Sequence, residues 1–179
     1  LLYEGVITEA NLFAPVPASE DTILLTHHAD YWRRMRDLQL TDKEMRAIGF
    51  PLSETLVERE ITIMQGTIDC AMYAMQYGVA LNVAGGTHHA FADRGEGFCL
   101  LNDFAIAANY LLHNNICRKI LIVDLDVHQG NGTASIFKNE DRVYTFSMHG
   151  QHNYPFRKET SNADIGLADG TDGRTYLSV

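Results

Sequence analysis

The 179-residue chain is 46% hydrophobic and 21% charged, the balance of one ordinary globular domain with a sizeable core rather than a disordered chain. Its formal net charge of −9 argues against direct nucleic-acid binding, which needs a basic footprint, and is compatible with a cationic substrate. No apolar run approaches membrane-spanning length, the opening LLYEGVITEA lacks the pattern of a signal peptide, and Cys70, Cys99 and Cys117 form no C-x-x-C pair, which together point to no membrane and a reducing compartment.

The first 16 residues carry little pattern, and Pro15 and Pro17 mark a loop. Ser19, followed by Glu20 and Asp21, is a helix N-cap with acids in the first turn. Leu24, His28, Tyr31, Met35 and Leu38 then recur at near-helical spacing. The adjacent His27 and His28 point in different directions on a helix and have no acid placed to join both, which argues against a metal site. Thr41 to Glu44 is a capping box, closed by Gly49 and Pro51. Ser53 caps a further helix whose apolar stripe is Leu56, Ile61, Met64, Ile68, Met72 and Met75, ending at Gly78. Its methionines read as core filler.

Val79 to Ala84 reads as a buried strand running into GGTHHAFADRGEGFCLLND. Asp103 to His113 reads as a helix with Phe104, Ala107, Ala108, Leu111 and Leu112 on its apolar side. Ile120 to Val123 is an apolar, largely β-branched run, expected to be a strand buried on both faces. A short helix around Ala134 to Lys138 and a strand from Arg142 to Met148 follow, and the tail from His149 shows little periodicity. Alternating strands and helices predict βαβ units: an α/β, three-layer fold with a parallel sheet flanked by helices. No repeat or linker divides the chain.

The chemistry-bearing residues cluster at two predicted strand ends. After Ile120–Val123 come Asp124, Asp126 and His128, which alternate and so face one side of an extended segment, and then Gly130 and Gly132. Ligands of open α/β sheets sit at the carboxyl ends of strands, and several buried charges together need a compensating cation. After Val79–Ala84 come Gly85 and Gly86, which let the backbone turn sharply, and the tandem His88 and His89, suited to handle the proton of a metal-activated water.

GGTHHAFADRGEGFCLLND followed by IVDLDVHQGNG strongly resembles the zinc-dependent histone deacetylase superfamily, with its arginase/deacetylase fold. IGFPLSETLVERE and DRGEGFC look most like its class IV and related bacterial members, and the latter imply a cytoplasmic setting. The resemblance runs from about Thr41 to Thr171. It implies that Asp126 and His128 are zinc ligands (Fe2+ being an alternative metal) and that His88 and His89 are the catalytic pair, backed by Asp124 and Asn131. It implies further that Gly97, Phe98 and Tyr154 line the acyl-lysine channel. A structural K+ or Na+ would be held by Asp124, Asp126, His128, Ser147 and Met148, and a second, weaker one by carbonyls around Phe137, Glu140 and Val143. The neutral Asn131 raises a histidine pKa less than a carboxylate would, which makes His89 the general base and biases His88 toward imidazolium.

Such a domain is also expected to supply a third zinc ligand and an oxyanion tyrosine farther along. Neither motif is present, and Asp164, Asp169, Asp172 and Tyr176 stand in contexts that do not match. Residues 1–179 are therefore expected to be one partial catalytic domain. The implied activity is removal of acyl groups from Nε-acyl-lysine or a polyamine-like amine. Alternatives are a small-molecule amidohydrolase of the same fold, such as an acetylpolyamine deacetylase, and a catalytically inactive fragment or binding module.

Overall fold

The computed structural model describes all 179 residues. Helices α1 (Glu20–Leu24), α2 (Ala29–Arg36), α3 (Asp42–Ile48) and α4 (Glu54–Tyr77) precede α5 (Asp103–His113). There follow β1 (Ile120–Asp124), α6 (Asn131–Ile136), β2 (Val143–Gly150), β3 (Ala163–Leu167) and α7 (Gly173–Ser178). The ends are set by side chains. Ser19, Thr41, Ser53 and Asn102 accept hydrogen bonds from the first turns of α1, α3, α4 and α5, and Glu44 completes the capping box at Thr41. Gly49, with φ at +92°, closes α3 in the left-handed region.

The strands form one parallel sheet in the order β1-β2-β3, so the βαβ reading holds. Helix α5 joins two cores. Its Ile106 and Ala107 pack into a cluster with Ile23, Met35, Ile48, Met64 and Ile68, built from α1 to α4. Its Ala105, Ala108 and Leu112 pack against Ile122 of β1, Val143 of β2 and Phe137 after α6. A helix buried on two sides needs small residues, which is why alanines dominate its middle.

Several elements depart from the pattern in the sequence. The helical spacing from Leu24 to Leu38 is broken at Leu25–His28, where the His28 N–H donates to the Ala92 carbonyl; Leu24 and Leu38 are exposed in consequence. Met72 and Met75 of α4 are likewise exposed, the core side being Val57, Ile63, Met64 and Ile68. Val79–Ala84 forms no strand, because no neighbour pairs with it, and Val83 is 98% exposed. Strand β1 is covered on one face only: Ile122 is buried while Leu121 and Val123 are exposed. The tail, which shows little periodicity, nevertheless forms β3, because β3 gains its ladder from β2, and Asn162 accepts from the Thr145 N–H and hydroxyl. No helix is long and apolar enough to cross a membrane.

Two buried titratable groups lie in the helical half. The imidazole of His27, 2% exposed, accepts at Nε2 from the Asn102 N–H at 3.1 Å, and burial pulls its pKa down to about 4. Burial pushes the Glu60 carboxyl up to about 7, although the Arg59 guanidinium lies 2.6 Å from one oxygen. Their linkages oppose each other. His27 adds stability that is complete above about pH 6.5 and is lost as pH falls toward 4. Glu60 adds stability that is complete below about pH 4.5 and is lost as pH rises toward 7. The wild-type protein should thus show little pH dependence from this pair across the overlap. Glu60→Gln should expose a melting temperature that climbs from about pH 4 to 6.5, worth up to about 3 kcal/mol. A Glu60→Gln protein with a flat profile, measured by thermal unfolding at fixed ionic strength, would contradict this assignment.

Candidate active site

The segment before the paired histidines has no sheet to hold it, and the first turn of α5 does that work. Asp103, fully buried, accepts from the N–H groups of Gly86 (3.1 Å) and Thr87 (2.8 Å) and from the hydroxyls of Thr87 (2.9 Å) and Thr67 (2.7 Å). Four donors on one carboxylate, at a helix N-terminus, satisfy a charge that burial alone would penalise. Asn102 fixes the other side of the histidines, its Nδ2 donating to the Ala90 carbonyl and to the Thr133 hydroxyl, each at 3.0 Å. Gly132 makes the close approach possible: a Cβ there would collide with the Ala90 carbonyl oxygen and lie 2.7 Å from the His89 carbonyl carbon.

His88 and His89 lie side by side, ring centroids 4.1 Å apart, both buried. His88 Nδ1–H donates to Asp124 Oδ2 at 2.5 Å. His89 Nδ1 meets Asn131 Oδ1 at 2.7 Å. Each ring thereby has its Nδ1 occupied and its Nε2 free. Burial, then the neighbouring His88, lowers the His89 pKa, with Asn131 opposing, so His89 is held neutral.

Asp124 closes β1 opposite Ser147 of β2. Its Oδ1 accepts from the Asp126 N–H at 3.0 Å, and Asp126 Oδ1 accepts from the His128 N–H at 2.7 Å, so successive side-chain turns carry the chain out of the strand. The alternation read for Asp124, Asp126 and His128 gives way to these turns: Asp124 is buried, Asp126 is exposed with its Oδ1 4.0 Å from His88 Nε2, and His128 is half-buried and lines the cleft. His128 Nδ1 and Asp126 Oδ1 are hydrogen-bonded to each other at 2.9 Å, which sets an imidazole and a carboxylate, two donor types that zinc accepts, side by side. The pair fits zinc in donor type but not in number, for no group of three or more His, Cys, Asp or Glu residues forms a metal-binding cluster. Asp164 is turned to Gln129 and Ser161, Asp169 sits by His152, and Asp172 caps α7.

The residues named for the monovalent cation meet in part. Ser147 lies across the ladder from Asp124, but its hydroxyl is engaged with His149 Nδ1 at 3.0 Å. Of the second set, the carbonyls of Phe137 and Glu140 already accept from the Glu140 and Val143 N–H groups.

The cleft, about 490 Å³, is lined by both histidines, His128, Gly97, Phe98 and Tyr154 among others. Helix α3 positions its near wall: the carbonyls of Ala47 and Ile48 accept from the N–H groups of Gly97 and Phe98 at 3.0 and 2.6 Å. Gly97 has φ at +54°, and a side chain there would press on His89 and Tyr154, so only glycine suits it. The Phe98 ring lies over Gly49 and meets the edge of Phe50 at 5.3 Å. Tyr154 stands edge-on to His89 at 4.9 Å and 89°. Two members of the site went unread in the sequence: Asp103, whose place after Asn102 at a helix start is the available signal, and Glu96, which accepts from the Tyr154 hydroxyl at 2.5 Å.

Residues 1–178 match the histone deacetylase domain family. The chain is 45% identical over its whole length to an uncharacterized protein of Picosynechococcus sp., of which it covers 60%. It is 29% identical to Histone deacetylase 2 of Arabidopsis thaliana over 99% of this chain and 48% of that one. The crystal structure of an HDAC homolog from Aquifex aeolicus superposes with a TM-score of 0.82 at 27% identity, covering 97% of this chain and 52% of the homolog. The chain thus spans about half to three-fifths of the length of these relatives.

The approach at Gly132 can be tested by one methyl group. Gly132→Ala should gain about 1 kcal/mol of helix propensity and lose more, on the order of 1–3 kcal/mol, to a clash with backbone that cannot retreat. Gly173→Ala, where a Cβ meets nothing within 4 Å, should leave stability unchanged or slightly raised. Equal melting temperatures for the two variants would mean that Gly132 is not a contact point for the histidine loop.

Proposed function

The chain belongs to the histone deacetylase domain family, and on that premise we propose that the protein is a zinc-dependent amidohydrolase removing acyl groups from Nε-acyl-lysine or a related acylated amine. One observation carries this reading: two buried histidines, each with Nδ1 tied back to an acceptor, line one cleft with His128, and Asp126 Oδ1 lies 4.0 Å from His88 Nε2. We place the protein with class IV and bacterial members on the strength of IGFPLSETLVERE and DRGEGFC, and read residues 1–179 as a single domain.

Asp126 and His128 would hold zinc together with donors from outside this chain. Bound there, the metal supplies Lewis acidity, polarising an amide carbonyl and bringing the pKa of water toward about 7. The chain's own residues do the rest. The neutral His89 takes the proton of the attacking water at Nε2. His88 gives a proton to the leaving amine, and the Asp124 carboxylate offers an imidazolium there an ion pair that the Asn131 amide cannot offer at His89. Phe98 and Tyr154 enclose the aliphatic stem of the substrate, and the Gly97 carbonyl accepts from its amide. Asp124, Asp126, His128, Ser147 and Met148 are the proposed holders of a K+ or Na+, whose oxygen ligands suit a hard cation.

The test uses the full-length protein with acetyl-lysine peptides, long-acyl-lysine peptides and acetylpolyamines. Hydrolysis of at least one class should vanish with a chelator and return with zinc. His89→Ala should lower kcat by about 100- to 10,000-fold. Hydrolysis indifferent to the chelator would sink the proposal, as would a zinc-loaded protein inert toward all three classes.

A further inference from the structure

The carboxylate of Glu96, beside the cleft-lining Gly97, has no part in the chemistry above. It lies in the tight turn closed by the Glu96–Cys99 bridge, directly before Gly97. Its Oε1 accepts from the Tyr154 hydroxyl at 2.5 Å and from Asn131 Nδ2 at 3.2 Å, while Oε2 lies 3.9 Å from Arg94 Nε. The Arg94 guanidinium in turn sits 3.6 Å over the Phe91 ring.

An amide can present either its oxygen or its nitrogen, and the partners decide which. A carboxylate can only accept, so Glu96 claims the Asn131 nitrogen and turns the Asn131 oxygen to His89. An oxygen facing His89 Nδ1 requires that nitrogen to carry the proton, which leaves Nε2 bare in the cleft. A flipped Asn131 would do the reverse, placing a donor against Nδ1 and the proton on Nε2, where a base cannot have it. The same oxygen also tethers the tyrosine wall. We propose that Glu96 is a positioning residue: its Oε1, shared between Asn131 and Tyr154, fixes the Asn131 amide, sets the proton of His89 on Nδ1, and locks the tyrosine wall to the base it covers.

The catalytic consequence rests on the hydrolase reading above; the tautomer does not, and the experiment separates them. In zinc-loaded full-length protein with 15N-histidine, the His89 signals are assigned by their loss in His89→Ala. Wild-type protein should show Nδ1–H and a bare Nε2. Glu96→Gln keeps the shape of the side chain but can present a donor or an acceptor, so an Nε2–H form should appear at His89, as it should in Glu96→Ala. In both variants kcat should fall about tenfold or more with KM changed less than threefold. Tyr154→Phe, which leaves the Asn131 bond in place, should keep the Nδ1–H form. An unchanged His89 tautomer in both Glu96 variants overturns the proposal, whatever happens to turnover. Tautomer exchange in a protein whose wild type hydrolyses no acyl substrate would uphold Glu96 as the positioning residue and refute the hydrolase reading alone.

Discussion

The candidate site depends on one buried carboxylate at the start of one helix. Residues 79–84 pair with no strand, so nothing in the sheet fixes where Gly85 to His89 lie. Asp103 supplies the missing anchor with four accepted hydrogen bonds, two of them from backbone N–H groups of the loop itself. Each bond to a charged acceptor is worth about 1.5–3 kcal/mol, and a buried charge left bare costs more than a bond returns. Asp103 and its donors are therefore settled together. The Asn102 side chain does the same for Ala90 and Thr133, so the histidines are gripped on both sides by consecutive residues.

That grip ties the chemistry to both cores. Helix α5 is the only element with residues in each cluster, and its first turn carries Asn102 and Asp103 into the site. The helical half contributes again through α3, whose last carbonyls hold the Gly97–Phe98 turn. The sheet half contributes Asp124 from the end of β1 and Asn131 from the start of α6. The two histidines thus meet partners of different charge from two different elements, and this difference separates a ring beside a carboxylate from a ring beside an amide.

What the sequence disclosed follows physical lines. The caps at Ser19, Thr41, Ser53 and the closing glycines at 49 and 78 were legible because they act within four residues. The parallel order was legible because strand and helix periods alternate. Strand β3 was not, since Asp164 and Gly166 have poor strand propensity and only the ladder to β2 makes ADIGL extended. Val79–Ala84 misled for the converse reason: a β-rich run is a strand only when a neighbour pairs with it. At the site, the paired histidines and the Asp-x-Asp-x-His run announced themselves by residue type. Asp103 and Glu96 did not, because an acid after an N-cap or beside a glycine is common, and their partners lie 16 to 58 residues away.

In the proposed mechanism Asp126 and His128 would hold a catalytic metal before the two histidines. Anomalous diffraction above and below the zinc edge, on crystals of the full-length protein, decides whether they do. One zinc peak is expected within bonding distance of the Asp126 carboxylate and His128 Nδ1, and none at the Nε2 atoms of His88 and His89. A zinc bonded to His88 or His89, or a crystal with zinc at neither Asp126 nor His128, would contradict it.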